Sequence, residues 1–98
     1  MARDFLIRRA DGDWFDLNAS RFEAVLRPSS FASRPIPGWG DHRIEVLDSQ
    51  ISFSYEDPGI QVCVEGDGLT DDEAEQIVAE IAESITTATG QGSYVLQL

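Results

Sequence analysis

Between Arg43 and Glu65, apolar and polar residues alternate with a period of two. Ile44 and Val46 flank Glu45; Ile51, Phe53 and Tyr55 alternate with Ser52, Ser54 and Glu56; Ile60, Val62 and Val64 alternate with Gln61, Cys63 and Glu65. This alternation marks strands with one buried and one exposed face. Asp48-Ser49-Gln50 suits a short hairpin connection, and Asp57-Pro58-Gly59 places proline and then glycine where a type II turn wants them. The segment predicts a three-strand antiparallel meander.

The period changes after Gly68. Ala74, Ile77, Val78, Ile81, Ala82 and Ile85 recur at steps of three and four, the apolar stripe of a helix over 70–89. Thr70 and Glu73 have capping-box spacing, and Leu69 sits where a hydrophobic staple would pack near Ala74. Asp71, Asp72, Glu73 and Glu75 place negative charge at the positive end of the helix dipole. Gly90 supplies the left-handed stop, and Tyr94 to Leu98 reads as a closing strand.

At the other end, Phe5 to Ala10 reads as a strand and Asp11-Gly12-Asp13 as a turn, with Trp14 to Leu17 returning antiparallel as a hairpin. Ser20 and Glu23 repeat the capping-box spacing ahead of Phe22, Val25 and Leu26. A short helix over 20–27 competes there with an extended continuation. Pro28 to Asp41 holds Pro28, Pro35, Pro37 and Gly38-Trp39-Gly40, which predicts a loop. Its Phe31, Ile36 and Trp39 either pin that loop to the core or offer a contact surface; pinning is favoured, because long loops usually pack their own side chains. The order is ββ(α)βββαβ. An amphipathic helix needs one apolar sheet face to cover, so the fold class is α+β: a two-layer sandwich of about five to six antiparallel strands, with one long C-terminal helix on one face.

The chain has 98 residues, which fits one domain over 1–98. Its 42% hydrophobic content supports one modest core and argues against disorder despite the charge. Eighteen acidic residues face seven arginines and no lysine, for a net charge of −11. That field repels phosphates and anionic lipid, which excludes nucleic acid and membrane surfaces as expected partners and favours a basic protein. A single cysteine, Cys63, forms no intramolecular disulfide. No apolar run reaches the ~20 residues of a membrane span. Met1 to Ala10, with Asp4 amid Phe5-Leu6-Ile7 and then Arg8-Arg9, lacks the basic-then-apolar order of a signal peptide. A cytoplasmic protein is expected.

Candidate chemistry is sparse. His42 is the only histidine, and a nucleophilic pair with Cys63 needs both side chains within hydrogen-bond reach. Cys63 alternates with Val62 and Val64, so it is expected mid-strand opposite the helix as a small filler, with His42 an ordinary surface residue. Asp67, Asp71, Asp72 and Glu73 cluster near Gly66 and Gly68, but the calcium-loop register is missing and helix capping accounts for them. Neither Gly38-Trp39-Gly40 nor Gly66-Asp67-Gly68 is a phosphate loop. No catalytic residue, metal ligand or cofactor site is expected. An enzyme built on dispersed carboxylates would instead depend on Asp67 or Asp71.

The remaining candidate is a surface. The sheet face away from the helix carries Glu45, Ser52, Ser54, Glu56, Gln61, Cys63 and Glu65, with Val95 and Gln97 from the last strand. As a solvated face it needs no function. As a docking face it offers Ser52, Ser54, Gln61 and Glu65, with Phe31 and Trp39 as aromatic anchors from the loop, to a basic partner. The acidic balance, the meander Ile51–Val64 with its Asp57-Pro58-Gly59 turn, and the capped helix Thr70–Thr89 with a short final strand together resemble the small acidic proteins of bacterial toxin–immunity loci. The resemblance implies a non-enzymatic, tight binder that blocks the active site of a basic, often nucleic-acid-degrading, toxin domain. It carries no residue-level motif, so no functional residue transfers with it. The alternative is a small structural or regulatory subunit that self-associates through a free sheet edge or the aromatic loop.

Overall fold

The computed structural model describes residues 3–56 and 59–98. In chain order it contains β1 (Arg3–Arg9), a 3-10 turn (Ala19–Arg21), α1 (Phe22–Val25), β2 (Arg34–Pro35), β3 (His42–Val46), β4 (Ser49–Glu56), β5 (Gly59–Glu65), α2 (Asp71–Thr89) and β6 (Ser93–Gln97). The strands form one antiparallel sheet in the order β2-β3-β4-β5-β1-β6. This is the two-layer α+β fold that the alternation and the helical stripe predict.

Period-two alternation becomes a core because the register aligns it. Ile44, Ile51 and Val64 lie side by side across β3, β4 and β5, and Phe53, Val62 and Phe5 form the next row. These side chains are buried on the face that α2 covers with Ala74, Ile77, Val78, Ile81, Ala82 and Ile85. The helix begins with a reciprocal cap: Glu73 N–H donates to Thr70 Oγ1 at 3.1 Å, and Thr70 N–H to Glu73 Oε1 at 2.9 Å. It stops at Gly90, whose φ of 72° is left-handed. The small α1 sits in the same layer, held by the Ser84 hydroxyl, which donates to the Val25 carbonyl at 2.8 Å.

Several sequence expectations change. Trp14 to Leu17 is not a strand. The turn before it forms, with Gly12 N–H donating to the Arg9 carbonyl, but both edges of β1 are occupied, by β5 and β6. The segment's polar groups go to side chains instead: Asp16 N–H donates to Gln91 Oε1, Arg9 to the Trp14 carbonyl, and the Tyr55 hydroxyl to the Leu17 carbonyl at 2.6 Å. Its alternation reports the burial of Phe15 and Leu17.

The helix expected over 20–27 is shorter, a 3-10 turn followed by the four residues of α1, and no side chain caps either piece. The loop at 28–41 contains β2, where Pro35 is tolerated because it lies at the sheet edge. The β3–β4 turn is Leu47-Asp48 rather than Asp48-Ser49-Gln50, with β4 already begun at Ser49. Asp57 and Pro58 of the predicted type II turn lie outside the described residues. No helix among the described residues is long and apolar enough to cross a membrane.

Candidate functional site

The outer sheet face is less wet than the alternation implies. Arg43, Ser52, Cys63 and Asp4 line up across β3, β4, β5 and β1. The Arg43 side chain reaches diagonally toward Glu65, 4.0 Å away, and Gly38 packs directly against it. Under this cover Ser52 is only 1% exposed and Cys63 is buried as well. Burial, reinforced by Asp4, pushes the Cys63 thiol up to about 12, so it stays protonated and unreactive at neutral pH. Ser54, Gln61 and Glu65 are half-buried around this dry centre.

Of the two aromatic anchors expected, Phe31 does not join this face. Phe31 packs against the core from the helical layer, beside a groove of about 500 Å³ lined by Ala24, Arg27, Glu80 and Ser84. Trp39 is 51% exposed in the loop between β2 and β3. Val95 and Gln97 are also corrected: they oppose Ile7 and Phe5, so they face α2, while Tyr94 and Leu96 face outward beside Arg8 and Leu6.

His42 and Cys63 point to opposite faces of the sheet. His42 aligns with Phe53, and its ring lies 6.0 Å from that of Phe53 and 6.2 Å from that of Phe22. It is thus a core-edge residue rather than a surface one. Burial lowers its pKa, partly opposed by Glu23. At the α2 amino terminus, Asp71 pairs with Arg3 at 2.9 Å and Glu73 closes the helix cap. No group of His, Cys, Asp or Glu among the described residues is arranged to hold a metal ion.

Glu80 has a role that the sequence did not signal. Its Oε1 accepts from Ser29 N–H at 3.0 Å and Ser30 N–H at 2.9 Å, clamping the loop after α1 to α2, while Gln76 donates to Oε2. The Ser30 hydroxyl and N–H, with smaller help from Gln76 and Ser29, lower its pKa to about 2. A depressed carboxylate stabilises the fold above its unfolded pKa of about 4.3, and that contribution disappears as pH falls toward 2. Glu80→Gln is expected to cost about 1 kcal/mol at pH 7, a charged hydrogen-bond loss discounted for solvent screening. Urea melts at pH 7 and pH 2 check this: the gap between wild type and variant should close at pH 2. A gap unchanged with pH would refute the clamp.

The sequence reading places Val95 and Gln97 on the outer face and does not single out the last strand as the open apolar edge. Among the described residues, the exposed large hydrophobic ones are Trp14, Trp39, Leu47, Tyr94, Val95, Leu96 and Leu98, so most of them fall in one short stretch. β6 ends the sheet, with β1 on one side and no strand on the other among the described residues. The available signal was that Tyr94-Val95-Leu96 is apolar without alternation, and that Ser84 to Leu98 contains no charged side chain. Compared with protein-family models, with curated proteins and with solved structures, the chain matches none.

Proposed function

We propose that this chain is a non-enzymatic, cytoplasmic protein-binding module that takes a cationic protein on its acidic helical layer. The observation supporting this is where the charge remains uncompensated. Arg3, Arg9 and Arg34 are paired with Asp71, Asp11 and Glu45 of the same chain, and Arg43 approaches Glu65. α2 contains no basic residue, and its solvent side presents Asp72, Glu75 and Glu83, none of which forms an ion pair among the described residues. Such a stripe raises the encounter rate with a basic surface and rejects acidic ones. The resemblance to immunity proteins supplies a partner class, a basic toxin domain.

The test compares two variants of equal net charge. One carries Asp72→Asn, Glu75→Gln and Glu83→Gln; the other carries Asp13→Asn, Asp41→Asn and Asp48→Asn, all exposed and outside both helices. Each is used as bait in lysate at low and at high salt, and the basic proteins retained are quantified. The α2 variant is expected to lose about tenfold in retention, and the control much less. Equal losses in both would reduce the effect to bulk charge and sink the helical site, as would no salt-sensitive retention by wild type.

A further inference from the structure

We propose that two copies of this chain pair through β6, antiparallel about a two-fold axis at Val95, so that one sheet runs through both. This goes beyond the cationic partner and uses the open sheet edge, which Glu75 of α2 adjoins at Val95 and Gln97. The backbone of β6 is half used. Leu98 N–H donates to the Asp4 carbonyl at 2.9 Å, and Ala10 N–H to the Gly92 carbonyl at 2.8 Å. Antiparallel ladders alternate, so Tyr94 and Leu96 also turn toward β1, while Ser93, Val95 and Gln97 direct their N–H and C=O groups to the open side.

The two sheet edges are built differently. β2 is two residues long, carries Pro35 and places Arg34 in an ion pair with Glu45. Short length, proline and charge are the usual protections of an edge. β6 has none of them. It is uncharged, it lacks proline, and Tyr94, Val95 and Leu96 are 41%, 37% and 41% exposed.

Charge and symmetry select the occupant. Copies with a net charge of −11 repel one another, and the stretch from Ser84 to Leu98 adds no charged side chain of its own to that repulsion, Glu75 of α2 being the carboxylate beside it. A cationic strand would find no carboxylate on β6 itself, whereas the β6 of a second copy is equally apolar and neutral. The pairing is also self-complementary. With Val95 of one copy opposite Val95 of the other, Ser93 meets Gln97 and every outward N–H and C=O of Ser93, Val95 and Gln97 is matched. On the outer face, Tyr94 of each copy meets Leu96 of the other, an aromatic–aliphatic cross-strand pair.

Sedimentation of the purified chain across concentration, at low and high salt, tests this. A dimer that tightens with salt is expected, the reverse of binding to a cationic protein. Val95→Lys, which places a charge at the centre of the seam, should weaken the dimer at least about 100-fold. Leu47→Lys, an equal charge change at the β3–β4 turn, should leave it intact. Hydrogen exchange should show the amides of Ser93, Val95 and Gln97 protected in wild type and exposed in Val95→Lys. A monomer through about 1 mM overturns the proposal. So does a dimer that survives Val95→Lys, or one in which those amides exchange freely. If Val95→Lys abolishes capture of a foreign protein by a monomeric wild type, the edge takes another chain's strand and the second copy is wrong. Asp72→Asn with Glu83→Gln, which removes stripe carboxylates outside the surroundings of Val95, should leave the dimer intact, so the two proposals fail separately.

Discussion

Replacing Phe53 by alanine is expected to cost the fold about 3–5 kcal/mol, the range for emptying a sealed aromatic site. Phe53 is 1% exposed and lies in the row it shares with Val62 and Phe5 beneath α2. Its ring also backs His42, which in turn lies against Phe22, so one truncation loosens the contact between β4, β3 and α1. Collapse around the cavity is limited because the neighbours sit on paired strands held in register. A domain of this size loses roughly 4–8 °C of Tm per kcal/mol, so the midpoint should fall by on the order of 15–30 °C. Differential scanning calorimetry measures this. A loss below about 1.5 kcal/mol would mean that the inner sheet face is not sealed.

Gly68→Ala is expected to be nearly as damaging, for a different reason. A Cβ there would stand 2.6 Å from the Asp48 nitrogen, 3.0 Å from its Cα and 3.1 Å from its carbonyl carbon. All three are backbone atoms of the β3–β4 turn, so nothing flexible can swing away. The crowding is structural: Gly68 N–H donates to Ser49 Oγ at 3.1 Å, and Ser49 is fully buried. That bond ties the chain entering α2 to the hairpin between β3 and β4. Adding one methyl should strain or break it, at about 2–3 kcal/mol. Gly12→Ala is the comparison, since its φ of 80° is unfavourable for alanine but no atom lies within 4 Å of the new methyl. It should cost only about 1–2 kcal/mol. Equal denaturant midpoints for the two variants would refute the close approach at Gly68.

The meander and α2 were legible because their information is local. Alternation from Ile44 to Val64 fixes which side chains share a face, and the spacing from Ala74 to Ile85 fixes one stripe. Trp14 to Leu17 misled because alternation reports burial, while strand pairing needs an unoccupied neighbour. β1 spends its free edge on β6, whose partner residues lie more than eighty positions along the chain. The dry patch at Ser52 and Cys63 was hidden for a related reason. Small side chains read as wet until register sets the long Arg43 beside them. The local sequence around His42 fits a surface residue because nothing in it shows that β3 turns the ring toward Phe22 and Phe53. Phe31 packs against the core beside Ala24 and Ser84 of the helical layer, a long-range contact that the loop's own sequence does not contain. Which edge of a sheet remains open is a property of topology, and no window of sequence around Val95 contains it.

Threading β1 between β5 and β6 also governs the order in which this protein can assemble. β3, β4, β5 and α2 follow one another in the chain, so their contacts close short loops at little entropic cost. β1 must wait: its first partner is contributed by residues 60–64 and its second by residues 93–97. Until residues 60–64 are present β1 has no strand to pair with, and the apolar face of Phe5 and Ile7 stays uncovered until α2 follows. β6 then completes the pairing that β5 begins.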